Sequence, residues 1–147
     1  MNVFTARVIL VGVLFLCASA ALAEVPLPDD VKLTPPPSGL REDVAAFSGR
    51  WSGVWLGDLE AMLIVEEIDA DKAKVIYAWG DAPRLNIAKG FQRYAATVES
   101  GGNAEIRFGS GSVSFNVVMA SDLSKVKVTR MIPMRAIHIE WFKRAPL

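Results

Sequence analysis

Aromatic residues carry whatever chemistry this chain performs. Trp51, Trp55, Tyr77, Trp79, Phe108, Phe115 and Trp141 all fall on strand faces that read as interior, and Gln92, Tyr94 and Arg130 are the polar side chains interleaved with them. A small-molecule pocket is mostly apolar and aromatic with a few convergent polar groups, and this set has that composition. It is equally the composition of a filled core, in which an inward arginine only stacks on an indole or bonds a carbonyl. Both readings stay open on the sequence. Asp81 joins the candidate binding set because it opens the stretch Gly80 to Gly90, the longest irregular segment after residue 48, placed where it would lie over a ligand as a lid.

Catalytic chemistry has little to work with. His138 is the single histidine, and its parity puts it with Glu140 on the side opposite Ile137 and Ile139, so it reads as a surface residue rather than a general base. There is no Gly-x-Ser-x-Gly elbow, no Cys-x-x-Cys and no His-Glu-x-x-His, which leaves triad hydrolysis and zinc sites without support. Glu66 and Glu67 are adjacent in a strand and are expected on opposite faces, while Asp69 and Asp71 bracket a turn whose backbone they cap. Two carboxylates fall short of the six or more oxygens that calcium takes. No glycine loop leads into a helix, so the usual nucleotide motifs are missing. The expectation is a non-enzymatic protein with no cofactor and no metal.

The elements that position the aromatic set are short strands. The stretch Gly49-Arg50-Trp51-Ser52-Gly53-Val54-Trp55 opens the series: side chains alternate along a strand, so Trp51, Gly53 and Trp55 share the core face. A glycine between two indoles marks a bend or a close approach of another backbone. Further strands are expected over 60–68, 73–79, 91–99 and 104–108, then from Val113 to Met119, around Val126 to Arg130, and from Met134 to Phe142. Turns fall at Gly57-Asp58, Asp69 to Lys72, Ser100 to Asn103, Gly109 to Gly111 and Ala120 to Asp122. The strand 60–68 is apolar on both faces through its middle, with glutamates at 66 and 67, and its inward set is undecided.

Eight strands joined by connections too short for a crossover helix predict an all-β fold, an eight-stranded antiparallel up-and-down barrel, whose closure removes exposed edges. A barrel of that size is filled by its own side chains or holds one small ligand. Residues 41–47 follow Gly39 with good helix formers, so a short N-terminal helix is expected there, with Phe47 plugging one end.

Upstream, Arg7, the apolar run Val8 to Leu16 and Ala21-Leu22-Ala23 predict a secretory signal over 1–23, and the run is shorter than the roughly 20 residues that span a membrane. Bulky Leu16 before Cys17 disfavours a lipid anchor, and removal of the signal leaves no cysteine. Residues 24–40 hold five of the eight prolines and are expected to be a disordered tether, ahead of a single domain over 41–147. The 16 basic and 16 acidic residues are scattered singly, which gives no electrostatic reason to expect nucleic acid or an anionic membrane. These features together predict a secreted or periplasmic location without stable membrane insertion.

The Gly49-x-Trp51 element behind a short helical plug resembles the signature of the calycins, the lipocalins, fatty-acid-binding proteins and avidins. Trp51-Ser52-Gly53-x-Trp55 followed by Val75-Ile76-Tyr77-Ala78-Trp79-Gly80 is also similar to uncharacterised bacterial secreted domains, some attached to hydrolases. The resemblance spans residues 47–142 and implies architecture without a substrate. It further implies a basic residue late in the barrel packed across Trp51, for which Arg130 is the candidate and Arg144 the substitute. Two functions are consistent with all of this: binding of a small apolar or aromatic ligand, with Trp51, Trp55, Tyr77, Trp79, Asp81, Tyr94, Phe115, Arg130 and Trp141 as candidate contacts, or a protein partner held through the barrel loops.

Overall fold

The fold comes from a computed structural model that describes residues 25–55 and 58–145. The secretory signal expected over 1–23 and Gly57 of the first expected turn lie outside the described residues. Eight strands pair antiparallel in chain order: β1 (Gly49–Trp55), β2 (Leu59–Ile68), β3 (Lys72–Trp79), β4 (Gly90–Glu99), β5 (Glu105–Ser110), β6 (Val113–Met119), β7 (Lys125–Ile132) and β8 (Arg135–Arg144). β8 returns to β1 through Arg50 opposite Arg144, Trp51 opposite Lys143 and Ser52 opposite Phe142, closing the barrel. This is the up-and-down barrel that alternation and short connections predict, and strand boundaries agree to within two or three residues. β4 and β5 are paired only from Thr97 opposite Arg107 to Glu99 opposite Glu105, as short a register as the β1–β8 closure. Above Thr97, β4 is bonded to β3 alone.

Antiparallel order sorts the connections into two ends. One end is closed by α1 (Glu42–Ala45), whose Val44, with Phe47 just beyond it, is buried in the core. The Arg41 guanidinium donates to the carbonyls of Ser100 and Gly102, tying the plug to the β4–β5 turn, and pairs with Asp43. That guanidinium holds the Asp43 carboxyl below its ordinary range. Trp51 seals this end: its indole N–H donates to Phe47 O at 2.8 Å, and Lys143 lies across its ring with Nζ 5.3 Å from the centroid while donating to Ala46 O at 2.8 Å.

Lys143 therefore takes the place for which Arg130 and Arg144 were the candidates. Register decides the matter: Lys143 is directly opposite Trp51, Arg130 pairs with Phe115 near the other end, and Arg144 faces outward and donates to Ser52 Oγ. Gly53 is likewise explained by a side chain rather than by another backbone. A Cβ there would lie 2.2 Å from Trp141 Cδ1, so the glycine is the socket for that indole.

β2 resolves its own ambiguity with a bulge. Leu59, Ala61, Leu63 and Val65 face the core, the register against β3 then slips between Val65 and Glu67, and Ile68 resumes the inward side. One extra residue flips the parity of the strand beyond it. Glu66 and Glu67 consequently both avoid the core, where simple alternation expected opposite faces: Glu67 meets Lys74 and Glu66 meets Arg93.

The bulge also leaves the Glu66 carbonyl free for another donor. Thr34 N–H takes it at 2.7 Å, Lys32 N–H donates to Glu66 Oε1 at 3.2 Å, and Arg93 binds Asp30 at 2.7 Å. Residues 25–40 have no helix or strand, in keeping with their prolines, yet over this span the expectation of disorder is corrected: the leader is pinned to the barrel wall. Ile64 and Ile76, directly opposed on the outward faces of β2 and β3, are 0% exposed. An outward isoleucine pair is dry only under a cover, and the leader is anchored beside it, on Arg93 opposite Ile76 and on Glu66 two residues from Ile64.

Candidate functional site

The lower barrel is filled and the upper barrel is open. Trp55 and Trp141 meet edge to face at 5.7 Å, both essentially unexposed, with Trp141 stacked on Tyr77 at 6.2 Å. Above them a cavity of about 340 Å³ opens at the end carrying the β1–β2, β3–β4, β5–β6 and β7–β8 connections. Its aromatic wall is Tyr77, Trp79, Tyr94 and Phe115, with Tyr77 and Phe115 only 4.4 Å apart. Phe108 backs this wall, 5.0 Å from Phe115 and 5.2 Å from Tyr94. Leu59, Ile87 and Val113 complete the apolar lining, and Arg130, Gln92 and Ser110 supply its polar groups. Two larger depressions, about 560 and 550 Å³, lie on the outer wall and are lined by outward side chains such as Met62 and Asn116.

The sequence candidates divide cleanly. Tyr77, Trp79, Tyr94, Phe115 and Arg130 are brought together around the cavity. Trp51, Trp55 and Trp141 are not part of its lining: all three are buried in the core, Trp51 at the closed end. Asp81 also lies outside the lining, because its carboxylate accepts Lys89 N–H at 2.8 Å and is spent on its own loop. That loop is a folded structure rather than a loose flap. Ala82 and Ile87 form a bridge, Pro83–Leu85 make a 3-10 turn closed by Asn86 in the left-handed region, and the Trp79 indole N–H donates to Ala88 O at 2.8 Å. Together these contacts seat Ile87 at the rim.

Leu59, Ile87, Ser110 and Val113 were missed as site residues. Leu59 and Val113 begin strands at the open end and Ser110 finishes one there, so position along the strand, added to face parity, was the available signal. Ile87 had no such signal, since its placement depends on the folded loop.

Electrostatically the cavity is simple. Arg130 is the one charged residue in its lining and makes no ion pair among the described residues. Its Nε is buried without a hydrogen-bond partner. Burial pushes the Tyr77 hydroxyl up to about 12, against the pull of the Arg130 charge, and burial raises Tyr94 as well. The Trp55 indole N–H is directed toward the Tyr77 hydroxyl but completes no hydrogen bond. Tyr94 O–H donates to Gln92 Oε1 at 2.9 Å. His138, exposed on β8, contacts Thr129 Oγ1 at 2.8 Å on the outer wall, away from the cavity. Among the described residues no three histidine, cysteine, aspartate or glutamate side chains gather as a metal site.

Comparison with known proteins returns no match: no family model, no curated protein and no solved structure matches this chain. The fold and the cavity therefore carry the functional argument alone.

Proposed function

We propose that this protein is a non-enzymatic barrel that binds a small apolar or aromatic molecule at its open end, acting in the periplasm or outside the cell after loss of residues 1–23. The observation that carries the reading is the aromatic-lined cavity of about 340 Å³ above a fully packed lower core. Its size and lining fall within the range of small-molecule sites. A barrel built only for stability has no reason to leave Trp79, Tyr94 and Arg130 around open space, since unfilled volume costs contacts. The Gly49-x-Trp51 strand start behind a helical plug, with Lys143 across the indole, supports grouping the protein with the calycins by architecture. Titration with a panel of aromatic and aliphatic compounds tests the proposal. Trp79 at the rim reports occupancy by its fluorescence, and a panel that leaves emission unchanged and gives no mass adduct under gentle ionisation counts against it.

One observation favours a second reading, a protein-interaction module working through the barrel loops. Leu85, Phe91, Met131 and Met134 are exposed, and all four lie at the open end. An apolar rim of this kind suits contact with a partner that delivers or receives the ligand. Affinity capture with the Phe91→Ser, Met134→Ser variant as the control tests this: loss of a captured protein in the variant supports it, and identical captures refute it.

A further inference from the structure

Resting on the reading of the open-end cavity as a binding site, we infer that its ligand is an anion: a flat apolar body carrying a carboxylate that docks on the Arg130 guanidinium. The cavity has one cation and no counter-charge. Arg130 lacks an ion pair among the described residues, and its buried Nε has no acceptor. A guanidinium nitrogen removed from water without a partner is costly, and a carboxylate matches its planar fork with two parallel bonds.

The nearby carboxylates and the Gln92 carbonyl oxygen are engaged elsewhere. Gln92 Oε1 already accepts from Tyr94, the Asp81 carboxylate accepts Lys89 N–H, and Asp58 pairs with Arg84 at 3.3 Å. The other interior polar atoms without partners, Trp55 Nε1 and Trp141 Nε1, are donors too. The lining thus offers one full positive charge and no carboxylate, its Tyr77, Tyr94 and Ser110 hydroxyls being neutral groups that both donate and accept. Trp79 and Tyr94 are the half-buried rings that a flat body would meet, with Tyr77 and Phe115 buried behind them. A dry cavity of about 150 Å³ holds one benzene ring, so about 340 Å³ admits two fused rings with a carboxylate.

The test is a matched pair of probes, 2-naphthoate and 2-naphthamide, titrated calorimetrically into the full mature chain and into Arg130→Gln and Arg130→Lys. The mature protein is expected to bind 2-naphthoate about tenfold or more tightly than the amide, the scale of a hydrogen bond to a charged group. Arg130→Gln collapses that preference, and Arg130→Lys, a point charge without the fork, keeps part of it. Equal affinities for the two probes, or a preference that persists in a folded Arg130→Gln, overturn the inference while leaving the pocket standing. Failure of the mature protein to bind either probe overturns the pocket reading and this inference with it. Should Arg130→Gln not fold, the matched pair on the mature chain and on Arg130→Lys still decides.

Discussion

Gly53→Ala is the sharpest perturbation the packing allows. The added methyl would sit 2.2, 2.5 and 2.8 Å from Cδ1, Nε1 and Cγ of Trp141, so an entire ring edge, rather than one flexible atom, stands in the way. Ordinary contact begins near 3.4 Å, and the indole must retreat by roughly 1 Å or more. It has nowhere to go, being wedged edge to face against Trp55 at 5.7 Å and stacked on Tyr77 at 6.2 Å. Overpacking of this kind costs about 1–3 kcal/mol, against which removing a strand glycine returns about 0.5–1 kcal/mol of chain entropy. A net loss of about 1 kcal/mol corresponds to roughly 5 °C in Tm for a domain of this size. Urea denaturation followed by tryptophan emission measures it, with Gly101→Ala as the control because nothing lies within 4 Å of a Cβ there. In a double-mutant cycle, the cost of Gly53→Ala should shrink on a Trp141→Leu background. A Gly53→Ala protein as stable as the parent would refute the claim that this glycine is the socket for Trp141.

Three further outcomes rest on the structure. Tyr77 ionises near 12 when folded and near 10 when unfolded, so its contribution is intact below pH 10 and is lost as pH rises toward 12, by up to about 1.4 kcal/mol per pH unit; denaturation at pH 9 and 11 should show a shallower alkaline loss for Tyr77→Phe than for the parent. Deleting residues 24–40 is expected to uncover Ile64 and Ile76, which at about 1.5–3 kcal/mol per fully buried side chain lowers stability by up to roughly 3–6 kcal/mol and raises apolar-dye binding; an unchanged urea midpoint would mean the leader covers nothing of consequence. Lys143→Met removes both the contact over Trp51 and the bond to Ala46 O, and should cost about 1–2 kcal/mol while loosening the plug, read as faster amide exchange over 42–47.

Alternation made the barrel legible. Strands such as β5 and β6, where Ile106, Phe108, Phe115 and Val117 alternate with polar neighbours, can be placed by face and approximate length from residue order alone. β2 resisted because its parity changes midway: a bulge is a three-dimensional choice that alternation along one strand does not encode, and here it is coupled to a leader docking on the freed carbonyl. The leader itself misled because proline content predicts the missing secondary structure but is silent on whether an irregular segment finds anchors such as Glu66 and Arg93. At the site, parity separated inside from outside but not top from bottom. Trp51 therefore reads as the equal of Trp79, although height along the barrel axis puts the first at the closed end and the second on the cavity wall.

The central claim, that the open end and not the outer wall takes a ligand, is tested most directly by following the four indole N–H resonances while 2-naphthoate is added to isotope-labelled protein. Trp79 is expected to move together with backbone signals of Tyr94, Val113 and Arg130, while Trp51 at the closed end stays fixed. Shifts confined to outer-wall residues such as Met62 and Asn116, or a spectrum unchanged at saturating probe, would contradict it.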